Sequence, residues 1–185
     1  MSDAPPRVRL FAALDVPRDV VSELTRWSRD VAGSVEGLRL LPPESFHVTL
    51  CFLGWREAGE AERIGRVVER CAARATGLAL DGAAWFPPRR PRVLSAAIAD
   101  TRGELGDLQA RLSAALAEEA GYEPEHRVYN PHVTVARVRG DTRLRRAPEL
   151  DPPAPLPFDG TAVTLYRSLR GGGAARYEPV TRVGL

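Results

Sequence analysis

The chain has 185 residues, of which 44% are hydrophobic, so it can bury the core of one domain and is not expected to be disordered. Its 26 basic and 24 acidic residues leave a net charge of +2, which by itself requires neither a nucleic-acid nor a membrane partner. Cys51 and Cys71 are too few for a disulfide scaffold, and no apolar run approaches the ~18 residues of a membrane span. We therefore expect one domain, residues 1–185, located in a reducing cytoplasm without a secretion signal.

The first half of the chain shows strand and helix patterns in turn. Residues 8–16 form an apolar run that predicts a buried strand leading into a helix. The apolar residues of that helix recur at helical spacing, namely Val20, Leu24, Trp27 and Val31. Residues 45–53 predict a second strand, ended by Gly54, and residues 57–74 predict a second helix. A further strand is expected over residues 78–85.

The second half repeats this order after a turn rich in proline and arginine at residues 86–91. Residues 93–99 predict a strand, and the helix after it has one apolar face, formed by Leu105, Leu108, Leu112, Ala115 and Leu116. Residues 132–138 predict the next strand. The prolines of residues 148–157 exclude a helix and indicate an extended connection. Two last strands, over residues 161–168 and 176–183, are expected to flank the turn Gly171-Gly172-Gly173.

A shift of 85 positions lays the second half of the chain over the first. It places His47-Val48-Thr49 on His132-Val133-Thr134 without a gap. The same shift places Arg7, Val8, Ala12 and Asp15 on Arg92, Val93, Ala97 and Asp100. We infer two similar lobes, roughly residues 7–85 and 92–168, related by a pseudo-twofold axis and completed by the C-terminal strands. Such an axis places both His-x-Thr strands beside one groove.

The two His-x-Thr tripeptides are the main candidates for chemistry. Side chains alternate along a strand, so His47 and Thr49 share one face, and His132 and Thr134 share the equivalent face. Since the alternate valines are expected to face the core, both His-Thr pairs are expected to line a cleft. With an ordinary pKa near ~6.5, one imidazole can take a proton from water while the other gives one to a leaving sugar oxygen. The threonine hydroxyls can donate to phosphate oxygens, and this chemistry requires no metal.

Three other candidates for a functional role have less support in the sequence. His126 lies in a turn-like run with no repeat partner, so we assign it to the surface. A zinc site built on His47 and His132 lacks an obvious third ligand. Cys51 has the strand parity of His47 and Thr49 but no counterpart in the second half, and we interpret it as a small packing residue.

Four segments resemble a known family, the RNA 2′,3′-cyclic phosphodiesterases, also called the 2′-5′ RNA ligase or LigT-like group of the two-histidine (2H) phosphoesterases. They are RLFAALDVP at residues 9–17, FHVTLCFLG at 46–54, PHVTVAR at 131–137 and RYEPV at 176–180. The resemblance spans nearly the whole chain. It implies an α+β, bilobal fold in which each lobe has an antiparallel sheet with helices outside and the two motifs face a central groove.

The resemblance also implies an activity and a set of site residues. The activity is hydrolysis of a 2′,3′-cyclic phosphate on RNA or a nucleoside to a 2′-phosphomonoester by a monomeric hydrolase without a metal or cofactor. His47 is then the proton donor and His132 the proton acceptor that activates water. Thr49 and Thr134 hold the phosphate, and Arg137 adds a phosphate contact.

Several points stay open at this level. Phe52 and Tyr177 either contact the substrate or pack in the core, and the strand-like surroundings of Phe52 favour packing. Arg89, Arg90 and Arg92 either follow an RNA backbone or form a solvated turn. Ser95 stands where many relatives have Trp. The alternative functions are a 2′-5′ RNA ligase, an RNA-end-binding protein with incidental hydrolysis, and a phosphodiesterase for another small nucleotide.

Overall fold

The computed structural model describes residues 5–169 and 176–185. The helices of these residues are α1 (Arg18–Ser34), α2 (Ala61–Cys71) and α3 (Glu104–Ala120). The strands are β1 (Arg7–Asp15), β2 (Leu38–Leu40), β3 (His47–Glu57), β4 (Leu78–Phe86), β5 (Val93–Asp100), β6 (His132–Val138), β7 (Pro157–Phe158), β8 (Ala162–Leu169) and β9 (Arg176–Gly184). None of the described helices combines the length and apolarity that crossing a bilayer needs.

The nine strands form one antiparallel sheet with the order β7-β4-β5-β6-β3-β1-β8-β9, and β2 also pairs with β6. At its centre β3 and β6 share one registered pair, Val48 and Val133, which are equivalent positions at the shift of 85. Beyond it, β4 pairs with β5 and β8 pairs with β1, so each half of the sheet takes strands from both repeats. The predicted α+β class is confirmed, and the narrow centre of the sheet is compatible with two lobes.

The helices and the sheet share one hydrophobic core. The predicted apolar face of α1 is buried, because Val20, Leu24, Trp27 and Val31 all face the sheet and are at most 6% exposed. The fully buried Leu10, Leu14, Val48 and Val133 form part of the same cluster. One face of the central strands therefore lies against the helices, and the other is left for side chains of different chemistry.

Most predicted elements agree with the structure to within a few residues, with two exceptions. Gly54 does not end a strand: β3 continues through it to Glu57, and glycine tolerates the φ of +72° found there. The predicted helix at residues 57–74 is shorter, since a 3₁₀ turn at Ala58–Glu60 precedes α2 and the helix ends at Cys71. The sequence pattern missed the short strands β2 and β7. The predicted turn Gly171-Gly172-Gly173 lies outside the described residues.

Two tryptophans anchor the extended connection predicted at residues 148–157. The indole Nε1 of Trp27 in α1 donates to the carbonyl oxygen of Asp151 at 2.8 Å. The Nε1 of Trp85 in β4 donates to the carbonyl oxygen of Pro148 at 3.0 Å. Both indole N–H groups are thereby satisfied at the edge of the core, and a segment without helix is held to the domain.

Close packing at Gly160 gives a test of the core. A Cβ added at Gly160 would lie 2.5 Å from Cδ1 and 2.9 Å from Cγ of the fully buried Leu14. We expect Gly160→Ala to lower the free energy of unfolding by about 1–3 kcal/mol, because overpacking forces the core to shift. Chemical denaturation measures the loss. Gly33→Ala in α1 is the matched control, since its added Cβ meets nothing within 4 Å; equal stability of the two variants would contradict the close packing.

Candidate active site

The two His-x-Thr tripeptides meet at the centre of the sheet. Val48 and Val133 are fully buried on its core face. On the opposite face, His47 and Thr49 from β3 and His132 and Thr134 from β6 line one pocket of about 150 Å³. Around the Val48–Val133 pair, His47 and His132 are diagonal neighbours, a relation that puts the two residues roughly 7–8 Å apart.

A β-bulge follows each tripeptide and brings one more side chain into the pocket. The pairing of β3 with β1 skips Leu50, and the pairing of β6 with β5 skips Val135. An extra residue reverses the alternation of side chains beyond it. As a result Phe52 and Arg137, which are equivalent at the shift of 85, both line the pocket.

The first bulge corrects two interpretations of the sequence. Simple alternation placed Cys51 on the face of His47, but Cys51 is 1% exposed in the core, where burial raises the pKa of its thiol to about 12. Its predicted packing role agrees with this position. Phe52 was expected to pack in the core and is instead 40% exposed. The guanidinium carbon of Arg9 lies 4.6 Å from the centroid of the Phe52 ring.

Aromatic rings support each histidine from a different strand. The ring centroid of Phe11 in β1 lies 4.8 Å from that of His47, and the ring of Tyr177 in β9 meets His47 edge-on at 5.4 Å. Phe86 at the end of β4 lies 4.5 Å from His132. These contacts limit the ring orientations available to both imidazoles.

A carboxylate accompanies His47 but not His132. Asp15 is the β1 residue directly opposite His47, and its carboxylate accepts hydrogen bonds from Tyr166 (2.8 Å), Thr164 (3.0 Å) and Arg182 (3.1 Å). The β5 residue opposite His132 is an alanine. The pseudo-symmetric backbone thus carries different charges around its two imidazoles.

The position of Asp100 explains this difference and corrects the repeat alignment. At the shift of 85, Asp100 was matched with Asp15. In the structure Ala97 faces His132, so β5 matches β1 at a shift of 82 residues, and Asp100 lies three residues farther along. Its Oδ2 accepts the backbone N–H of Gly106 in the first turns of α3 at 2.9 Å. Asp100 therefore binds the start of α3 and does not take the place of Asp15 beside the pocket.

Backbone carbonyls orient both imidazoles. Nδ1 of His132 lies 2.7 Å from the carbonyl oxygen of Asn130. A carbonyl only accepts, so Nδ1 carries the hydrogen and Nε2 of the neutral ring is free to accept a proton. Burial lowers the pKa of His47 to about 4, although its hydrogen bond to the Ser45 backbone and the charge of Asp15 both raise it. With this pKa, His47 is neutral at pH 7.

The threonines are held by neighbours as well. The hydroxyl of the fully buried Ser95 lies 3.3 Å from the hydroxyl of Thr134. The hydroxyl of Tyr129 donates to the carbonyl oxygen of Thr49 at 3.1 Å. Ser95 thus orients a hydroxyl of the pocket.

The pocket contains all seven residues that the sequence nominated, and others that it missed. The nominated residues are His47, Thr49, Phe52, His132, Thr134, Arg137 and Tyr177. The missed residues include Arg9, Phe11, Ser45 and Ser168. A signal for the first two was present, because Arg9 and Phe11 alternate with the fully buried Leu10 and Ala12 along β1, which we interpreted only as a buried strand.

His126 lies exposed, as predicted. Among residues 5–169 and 176–185, no three His, Cys, Asp or Glu side chains are grouped so that they could hold a metal ion.

Comparisons with known proteins agree on one family. The model of the 2′-5′ RNA ligase superfamily matches residues 16–172. An RNA 2′,3′-cyclic phosphodiesterase of Aeropyrum pernix is 30% identical over 68% of this chain and 71% of its own. One of Escherichia coli is 28% identical over 96% of both chains. The crystal structure of E. coli LigT complexed with 3′-AMP superposes with a TM-score of 0.79 at 26% identity, covering 97% of this chain and 99% of LigT. The chain therefore belongs to the 2′-5′ RNA ligase superfamily.

Proposed function

We propose that this protein is a hydrolase that opens the 2′,3′-cyclic phosphate of an RNA end or a nucleoside and leaves a 2′-phosphomonoester. The observation that carries the proposal is the pair of imidazoles from equivalent strands on one pocket, with two threonine hydroxyls and Arg137 beside them. The names of the relatives from A. pernix and E. coli support this substrate, and the 3′-AMP complex of LigT supports a nucleotide ligand.

In the proposed reaction the two histidines act on opposite sides of phosphorus. Nε2 of His132 takes a proton from water as the water oxygen forms a bond to phosphorus. The bond from phosphorus to the 3′ oxygen breaks, and the leaving oxygen receives the proton of cationic His47. The hydroxyls of Thr49 and Thr134 donate to the nonbridging oxygens, where charge increases in the transition state. After a proton passes from His132 back to His47, both histidines have regained their starting forms.

The bound substrate is expected to favour the cationic form of His47, the proposed acid. A pKa near 4 leaves His47 neutral at pH 7 before substrate binds, whereas a proton donor has to be cationic. The negative charge of a bound cyclic phosphate favours the imidazolium form, and the Asp15 charge acts in the same direction. No such carboxylate faces His132 in the sheet register, which suits the residue that has to start as a neutral base.

The remaining pocket residues are assigned to substrate binding. Arg137 can form a forked pair of hydrogen bonds with a phosphate. Phe52, held under Arg9, offers an exposed ring face for a base or a sugar, and Tyr177 keeps the His47 ring in place while its hydroxyl remains available.

Removing either histidine tests the reaction. We expect His47→Ala and His132→Ala each to lower kcat for a nucleoside 2′,3′-cyclic phosphate by roughly 10²–10⁴-fold, because each loses one proton-transfer step. Phosphorus NMR in excess EDTA follows substrate loss and distinguishes the 2′- from the 3′-phosphate product. His126→Ala, a change of an exposed histidine, is the matched control. Undiminished turnover by both pocket variants would overturn the assignment.

The charge relation between Asp15 and His47 gives a second test. Because the Asp15 carboxylate raises the pKa of His47, Asp15→Asn should move that pKa farther down, and Asp81→Asn, at an exposed position of β4, should not. Titration of the imidazole carbon-bound protons by NMR measures both. Since His47 must be protonated to act as the acid, the alkaline limb of the pH–activity profile of Asp15→Asn should also move to lower pH. An unchanged His47 titration in Asp15→Asn would exclude an electrostatic effect of Asp15 on His47.

Ligation is the second candidate, favoured by the name of the family whose model matches the chain. The 5′-hydroxyl of a second RNA would replace water as the nucleophile, and the same two histidines would exchange the protons. Incubation of a cyclic-phosphate RNA with a 5′-hydroxyl RNA, followed by a test for a 2′-5′ bond, separates the two activities. Hydrolysis without any ligated product would exclude ligation and leave phosphodiesterase activity as the function.

The cytoplasmic location and the monomeric state stay predictions. Both cysteines are buried free thiols, which suits a reducing compartment. Sedimentation equilibrium should give the mass of one chain, about 20.2 kDa; a dimer mass would contradict it.

A further inference from the structure

A groove outside the catalytic pocket is lined almost wholly by arginine. Two segments about 50 residues apart in the chain form it, the turn between β4 and β5 and the loop after β6. Its volume is about 400 Å³, and its cationic residues are Arg89, Arg90, Arg92, Arg143 and Arg145. We refer to it as the arginine groove. The sequence left Arg89, Arg90 and Arg92 undecided between RNA contacts and a solvated turn, and the second segment became apparent only in the fold.

The arginines of the groove lack the carboxylate partners that several arginines of the helices have. Arg26, Arg66 and Arg70, on α1 and α2, each pair with a carboxylate at 2.6–2.9 Å. Within the described residues, no side-chain hydrogen bond or ion pair occupies any guanidinium of the arginine groove, and no acidic residue lines it. Five like charges held together without counter-charges repel one another, and a bound polyanion removes that cost.

Both segments are anchored, so the charges are held together by the fold. Pro91 is buried, and Leu144 packs against the hydrophobic core. The carbonyl oxygen of Arg92 accepts the backbone N–H of Val138 at 2.9 Å. A freely solvated turn would need none of these contacts.

The arginine groove adjoins the pocket strands through the backbone, although no residue lines both. Val138 directly follows Arg137, which lines that pocket, and Val93 pairs with Arg137 across the sheet. Arg39 of β2 faces Arg137 from its other side, so two like charges are paired directly across strands. A nucleic-acid strand carries one phosphate charge per nucleotide, so an oligonucleotide whose end lies at Arg137 can present further phosphates to the groove.

From this placement we propose that the arginine groove binds the phosphate backbone of single-stranded RNA on the 5′ side of the nucleotide whose cyclic phosphate occupies the catalytic pocket. The inference rests on the proposed function and narrows its substrate class to oligoribonucleotides. A cyclic phosphate is the 3′ end of its chain, so every further phosphate lies on the 5′ side. Guanidinium groups along an open groove track such a backbone without reading its sequence.

The test compares two substrates in two variants of equal charge. The groove variant is Arg89→Ala, Arg90→Ala, Arg143→Ala, and the control is Arg26→Ala, Arg66→Ala, Arg70→Ala, which removes the same charge from helices α1 and α2. The measured quantity is kcat/KM for an RNA hexamer ending in a 2′,3′-cyclic phosphate divided by kcat/KM for a cyclic mononucleotide. We expect this ratio to fall by about tenfold or more in the groove variant and to stay at the wild-type value in the control. Circular dichroism verifies that both variants fold.

Binding measured without chemistry separates this inference from the proposed function. Fluorescence anisotropy with a labelled hexamer bearing a 3′-phosphate gives the dependence of log affinity on log salt. Loss of three phosphate contacts should reduce the magnitude of that slope by about two. A groove-dependent slope without any hydrolysis would overturn the proposed function and leave the RNA groove standing. An unchanged ratio and an unchanged slope in an active groove variant would overturn the groove and leave the hydrolase standing.

Discussion

The site depends on one contact between two strands, the pairing of Val48 with Val133. Because the two valines are equivalent positions of a repeat and lie on the core side, they place His47, Thr49, His132 and Thr134 together on the other side. The pairing is limited to this position, and farther along β6 the short strand β2 becomes the neighbour. The pocket lies beside this pair, so one contact both joins the halves of the sheet and positions the histidines.

The bulges after Thr49 and Thr134 extend this arrangement. Each one turns the third residue beyond a threonine into the pocket, and the two residues that arrive there differ in chemistry. Phe52 brings an exposed ring on one side, and Arg137 brings a permanent positive charge on the other. Two equivalent bulges thus give an asymmetric site. A reaction with one nucleophile and one leaving group needs such asymmetry.

The same contrast separates the two histidines. The backbone holds both in similar positions, but the three-residue offset between β1 and β5 leaves Asp15 opposite His47 and Ala97 opposite His132. The Asp15 carboxylate is fixed by three donors, so its charge stays close to His47 at neutral pH. The different carboxylate placement that this offset creates supports the proposed acid and base roles, whereas the two tripeptides themselves do not differ.

The sequence by itself determined the order of the elements, the faces of the helices and the paired His-x-Thr strands. These features depend on periodicity within short segments, as the burial of Val20, Leu24, Trp27 and Val31 illustrates. It also nominated seven of the twelve residues that line the pocket, partly through a family resemblance. Local patterns of this kind survive folding because each segment meets the core with one face.

Only the tertiary structure decided which side chains beyond Thr49 face the pocket and which carboxylate lies opposite His47. It also decided which arginines lie together near Arg137. Each of these depends on the register between strands far apart in the chain. One inserted residue moved Phe52 out to the pocket and Cys51 into the core, and a shift of three residues removed Asp100 from the place of Asp15. Registers of this kind are set by pairing and packing across the sheet, so a pattern within one segment does not contain them.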